Sequence, residues 1–123
     1  MAHCEEGYLC SVCGLDVEHI WESDLYLRYV IGQVDPETLH TTRERHIRCN
    51  PTLAQFIEHP AFNAVLIDGP FDRRQLDLSF VERRTALVTR GFLRLIELEK
   101  EGGEADVTGY PLPEVISKWS ERV

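Results

Sequence analysis

The sequence predicts an α+β fold in a single domain over residues 1–123. A small metal-stabilised module of a β-hairpin and a helix is expected to pack against a long C-terminal α-helix. Three observations carry this. Two short clusters of soft ligands, Cys10-Ser11-Val12-Cys13 and His46-Ile47-Arg48-Cys49, fall in the first half of the chain. Over residues 17–22, Val17, His19 and Trp21 alternate with Glu18, Ile20 and Glu22, which is read as one face and the other of a half-buried strand. Residues 79–101 repeat apolar side chains at helical spacing. The expected organisation is a metal module (9–59), a connector with a short apolar segment (60–78), the long helix (79–101) and a short C-terminal helix (112–122).

The ligand clusters come first because their chemistry is most specific. Two residues between ligands allow one tight turn to aim both side chains at one ion. Val12-Cys13-Gly14 fits such a turn, since glycine after the second cysteine tolerates positive φ. In the second cluster, Cys49 precedes Asn50-Pro51, a favoured N-cap followed by a favoured first helical residue. Cys49 is thus expected just ahead of a helix N-terminus, where the dipole favours a thiolate. Three thiolates and an imidazole, from Cys10, Cys13, His46 and Cys49, form a Cys3His set suited to tetrahedral Zn2+. Reduced structural thiols and disulfides are the competing readings. Disulfides need an oxidising compartment, and the N-terminus lacks the basic and apolar stretches of a secretory signal. The spacing matches none of the common iron–sulfur patterns. Cys4 and His40 are the rivals for a ligand place.

A CxxCG knuckle, then hairpin-forming segments, then a ligand pair at a helix start resembles a treble-clef zinc finger. The likeness covers about residues 9–57. Cys10 and Cys13 match the knuckle, and His46 and Cys49 match the helix-start pair. The resemblance implies a zinc-stabilised, treble-clef-like architecture. Treble clefs serve DNA, RNA and protein binding as well as nuclease chemistry, so no activity follows from it.

The elements follow in order. Residues 17–22 read as a first strand. Residues 25–34, rich in Leu, Tyr, Val and Ile, read as a second, with a helix as the alternative. Asp35-Pro36 marks a turn or helix start, and 39–45 a polar loop or short helix leading to the second ligand pair. A helix over 51–59 is expected to bury Leu53, Phe56 and Ile57. Ala64-Val65-Leu66-Ile67, stopped by Asp68-Gly69-Pro70, reads as a buried strand or an extended segment crossing the core. Ser79 and Glu82 have capping-box spacing at the head of the long helix. Gly91 lies inside that helix, where a close helix–helix contact explains it as well as drift does. Gly102-Gly103 ends it. Ile116 and Trp119 are the expected packing residues of the last helix.

Composition narrows the function. The chain has 123 residues and a formal charge of −8, which opposes non-specific nucleic-acid binding. Its longest uninterrupted apolar run is four residues, 64–67, too short to span a membrane. Residues 1–24 contain no Lys or Arg, whereas Arg clusters in the middle of the chain. No nucleophile elbow, phosphate-binding loop, dinucleotide fingerprint or H-E-x-x-H motif is present. The favoured reading is a small soluble cytoplasmic zinc protein with a structural site. It acts as an adaptor or regulatory module through a protein partner, or through self-association of the long helix. A nucleic-acid-binding finger using Arg43, Arg45 and Arg48 is the first alternative. A zinc-dependent hydrolase, with Glu44 or His40 near the metal, is the second. Trp21, Tyr26 and Tyr29 are expected in the core rather than as base-stacking platforms. Metal binding and folding are expected to be coupled over 9–59.

One zinc ion per chain is therefore predicted, with distances of about 2.3 Å to sulfur and about 2.0–2.1 Å to nitrogen. Elemental analysis of protein purified without chelator tests this, and metal well below one equivalent contradicts it.

Overall fold

The structure is a computed structural model that describes residues 9–39, 41–102 and 106–121. Cys4 and His40, the rival ligands, lie outside the described residues.

Residues 25–34 do not form a strand. Ser23 starts a helix, α1 (Asp24–Val30), and its hydroxyl accepts the Tyr26 N–H at 3.0 Å as an N-cap. Asp24 in the first turn and Arg28 in the last complement the helix dipole and bond each other across one turn. Every side chain of α1 except Arg28 is buried. A helix buried on all sides loses its apolar stripe, which is why the segment mimics a strand in sequence.

The strand expected over 17–22 does not form either. Only Val17 and Ile20, three residues apart, are buried there, and Ile20–Glu22 is a 3-10 turn. Among the described residues there are no strands, only isolated antiparallel bridges between Leu9 and Asp16, Ser23 and His46, and His59 and Phe62. The expected α+β class and the β-hairpin of a treble-clef-like module are thus overturned. The described part of the chain is helical, and of the likeness there remain the knuckle and a ligand pair ahead of a helix start.

That helix, α2 (Pro51–Ala54), is one turn long, not the expected 51–59. Asn50 precedes it but caps nothing with its side chain. Its amide instead donates to Asp24 Oδ1 at 2.8 Å. Leu53, Phe56 and Ile57 still reach the core. The run 64–67 is neither strand nor buried crossing: Val65 is partly buried against the core, while Ala64 is exposed and Leu66 is 83% exposed.

The long helix forms as α3 (Leu78–Lys100). Its cap is Asp77, whose carboxylate accepts from the Phe80 N–H at 3.1 Å and from the Ser79 hydroxyl at 2.6 Å. The expected capping box led by Ser79 is displaced because a carboxylate two residues earlier serves the positive helix end better. Gly102, at φ +65°, follows the helix. The final helix, α4 (Pro113–Glu121), comes close to the expected span.

Val88, Phe92, Leu95 and Leu98 on α3 face α1 and the 3-10 turn at 20–22. They share one core with Leu25, Leu27, Tyr29, Val30, Ile47 and Phe56. The apolar residues of the ligand-bearing half and those of the long helix are therefore a single cluster. Leu112 N–H donates to the Val30 carbonyl at 3.0 Å, and Trp119 stacks on Tyr29, which together dock α4 onto α1.

Gly91 sits where α3 crosses α1. A Cβ there would lie 2.5 Å from Ile31 Cγ2 and 3.0 Å from Leu27 Cδ1. The close helix approach thus accounts for the glycine. Gly91→Ala gains about 1 kcal/mol of helix propensity, but overpacking a filled core costs about 1–3 kcal/mol. The expected net effect is a lower melting temperature. A raised melting temperature would show that the crossing has slack.

Candidate metal centre

The knuckle is built by backbone bonds. Cys10 N–H donates to the Leu15 carbonyl and Gly14 N–H to the Cys10 carbonyl, both at 2.9 Å. Gly14 takes φ +78°, the left-handed conformation the turn requires. This closes the loop so that amides face sulfur. Cys10 Sγ accepts from the Val12, Cys13 and His46 N–H groups at 3.4, 3.5 and 3.4 Å. Cys10 is buried and Cys13 exposed.

The second pair approaches from the opposite side. His46 Nδ1 lies 3.3 Å from Cys13 Sγ and 4.0 Å from Cys49 Sγ. His46 Nε2 is 2.8 Å from the Asp16 carbonyl. A carbonyl only accepts, so Nε2 carries the hydrogen and Nδ1 keeps its lone pair facing the sulfurs. Ligand atoms of Cys10, Cys13, His46 and Cys49 all lie within 4.8 Å of one another. The edges of a tetrahedron with zinc-like bonds are about 3.5–3.8 Å, so modest side-chain adjustment suits all four to one ion. All four residues singled out in the sequence come together.

Electrostatics also favours a cation. Burial tends to raise the Cys10 thiol, but the amides of Cys13, His46 and Val12 outweigh it and lower the pKa to about 6. Burial, and then the Cys10 and Cys13 sulfurs, push Cys49 up to about 12. The cluster resists a full complement of thiolates unless positive charge joins it. Burial works against a charged His46, but the Asp16 carbonyl and Cys10 sulfur hold its pKa above the ordinary value.

The ligand pair is framed by polar groups that spacing alone does not reveal. Asp24 is fully buried. Its Oδ2 accepts from Arg28 Nε at 2.8 Å and Arg45 Nε at 2.9 Å, and its Oδ1 accepts from Asn50. Asp24 N–H donates to the Arg45 carbonyl at 2.7 Å, and Ser11 N–H to the Glu44 carbonyl at 2.9 Å. Glu44 is buried, and its Oε1 accepts from the Ser23 hydroxyl and the Arg45 N–H. Burial raises the pKa of this carboxyl. The available signal was Asp24 and Arg28 at helical spacing, with Arg45 and Asn50 flanking the second ligand pair.

A cleft of about 380 Å³ opens beside the centre, lined by Cys13, Cys49 and His46 with Leu15, Trp21 and Phe62. Arg45 is committed to Asp24. Arg48 lies 4.6 Å over the Phe62 ring and donates to the Asn63 carbonyl. Tyr26 and Tyr29 are buried in the core. No helix among the described residues is long and apolar enough to cross a membrane. Comparison with protein-family models, curated proteins and solved structures gives no match.

Lowered in the folded chain, the Cys10 pKa makes metal-free stability depend on pH. The contribution is complete above the ordinary thiol value of 9.0 and is lost as pH falls through about 6. The difference in melting temperature between metal-free wild type and metal-free Cys10→Ala is therefore expected to widen as pH rises between these values. A difference that stays constant across the window contradicts the thiolate assignment.

Proposed function

We propose that the chain is a zinc protein with a closed, structural Cys3His centre and that it works by contacting a protein partner. The convergence of three sulfurs and His46 Nδ1 within 4.8 Å carries this reading. Sulfur and imidazole donors suit zinc, and four of them fill a tetrahedron. A filled tetrahedron leaves no place for the water that zinc hydrolases activate. Glu44, the nearest carboxylate in sequence to His46, is tied to Ser23 and Arg45, which argues against a general base there.

Charge favours protein over nucleic acid. The chain carries −8, and several arginines are engaged by carboxylates in place: Arg28 and Arg45 share Asp24, while Arg73 pairs with Glu58, Arg74 with Asp72, and Arg90 with Glu114. An Arg43/Arg45/Arg48 finger would need Arg45 to leave Asp24. A protein partner would find apolar side chains at two places. Leu9, Val12 and Leu15 are exposed around the knuckle, and Leu78, Phe80 and Leu93 are exposed on α3. Self-association through α3 would use this second set, since the stripe from Val88 to Leu98 is covered by α1.

Cobalt(II) substitution tests the closed site directly. A four-coordinate thiolate spectrum is expected, together with no binding to single- or double-stranded oligonucleotides at micromolar concentration and physiological salt. A five-coordinate or water-bearing spectrum points to the hydrolase instead. Micromolar oligonucleotide affinity points to the nucleic-acid finger.

A further inference from the structure

We propose that Asp24 is the positioning residue of the metal centre, and that the chain takes up metal as an already folded protein. The inference rests on the Cys3His reading above and deepens it. Arg45 immediately precedes His46, and Asn50 immediately follows Cys49. Both donate to the carboxylate of Asp24, so one fully buried anion holds both ends of the second ligand pair. Arg28 adds a third donor from within α1. The backbone repeats the link through the Asp24 N–H and the Arg45 carbonyl, beside the bridge between Ser23 and His46.

The first ligand pair is fixed to the same segment. Ser11 N–H donates to the Glu44 carbonyl, and the Glu44 side chain is held by Ser23. Apart from the amide contacts to Cys10 Sγ, every bond in this frame joins protein groups that do not ligate metal. Its base is α1, which shares its core with Phe92 and Leu95 of α3. A buried carboxylate is tolerated only with its donors in place, so folding the core forces the ligand pair into position. The centre is then a preformed receptor for the ion, in contrast to the coupled folding expected from sequence.

The test uses the full chain freed of metal by chelator. Zinc affinity is measured by competition with a chromophoric chelator, coordination by the cobalt(II) spectrum, and fold by far-ultraviolet circular dichroism. Asp24→Asn keeps the shape and removes the charge. Asn50→Ala removes one donor and leaves both arginine contacts intact. Asp72→Asn is the control, a buried carboxylate bonded to Arg74 and unconnected to the ligand pair by hydrogen bonds. The metal-free wild type is expected to keep its helical spectrum. Asp24→Asn is expected to weaken zinc binding about 10–100-fold and to broaden the cobalt bands, the usual scale for groups that orient ligands. Asn50→Ala shifts affinity in the same direction, and Asp72→Asn leaves it unchanged. Should Asp24→Asn fail to fold, Asn50→Ala decides. Wild-type affinity in the folded variants overturns the positioning role, and a metal-free wild type with the spectrum of an unfolded chain overturns the preformed site. A wild type that binds no zinc overturns the Cys3His reading itself, a result distinct from both.

Discussion

A carboxylate with no exposure to water is costly, because transfer of an ion into the protein interior loses several kcal/mol of hydration. Asp24 is such a group. Its cost is offset only if charged and polar donors converge on it, and the donors come from separate parts of the chain: Arg28 from its own helix, Arg45 from ahead of His46, and Asn50 from behind Cys49. Meeting that requirement fixes the path of residues 45–50 over the N-terminus of α1. It also explains why the Asn50 side chain forgoes capping α2. Removing one partner from such a buried set destabilises by about 3–5 kcal/mol.

The metal centre inherits this order. Once the path is set, His46 reaches the Asp16 carbonyl with one nitrogen and turns the other toward Cys13 and Cys49. The knuckle meets it through Ser11 and the Cys10 sulfur. Burial, and then the neighbouring Cys10 and Cys13 sulfurs, oppose ionisation of Cys49. A divalent cation relieves that opposition. The positive charge it adds is local, and the acidic balance of the chain persists around it.

The convergence of Cys10, Cys13, His46 and Cys49 was legible in the sequence because two-residue spacing around a turn has few other uses. The long helix was legible because its outer face is solvated, so the stripe from Val88 to Leu98 stands out. The α1 segment was not, since burial around the whole helix erases periodicity and leaves a β-rich composition. The signal that survived was Ser23 as a cap with Asp24 and Arg28 one turn apart. The strand reading of 17–22 failed because its two buried residues are Val17, ahead of a 3-10 turn, and Ile20, which opens it. Within the apolar run 64–67, Val65 is partly buried against the core and Leu66 faces solvent, so its composition overstated its burial. Asp24 itself was one of several acids scattered through a segment without Lys or Arg. Its role depends on Arg45 and Asn50, which are distant in sequence and meet it only in the fold.

Hydrogen exchange at two amides tests most directly whether the frame exists before the ion. The Asp24 N–H to Arg45 carbonyl bond and the Ser11 N–H to Glu44 carbonyl bond join α1 and the knuckle to the ligand-bearing segment. In chelator-treated protein, the Asp24 amide is expected to exchange about as slowly as the core amides of α3, with or without zinc. The Ser11 amide is expected to retain measurable protection. Exchange of the Asp24 amide at the rate of an unstructured peptide after metal removal, recovering only when zinc is restored, would contradict a site held in place by the buried carboxylate.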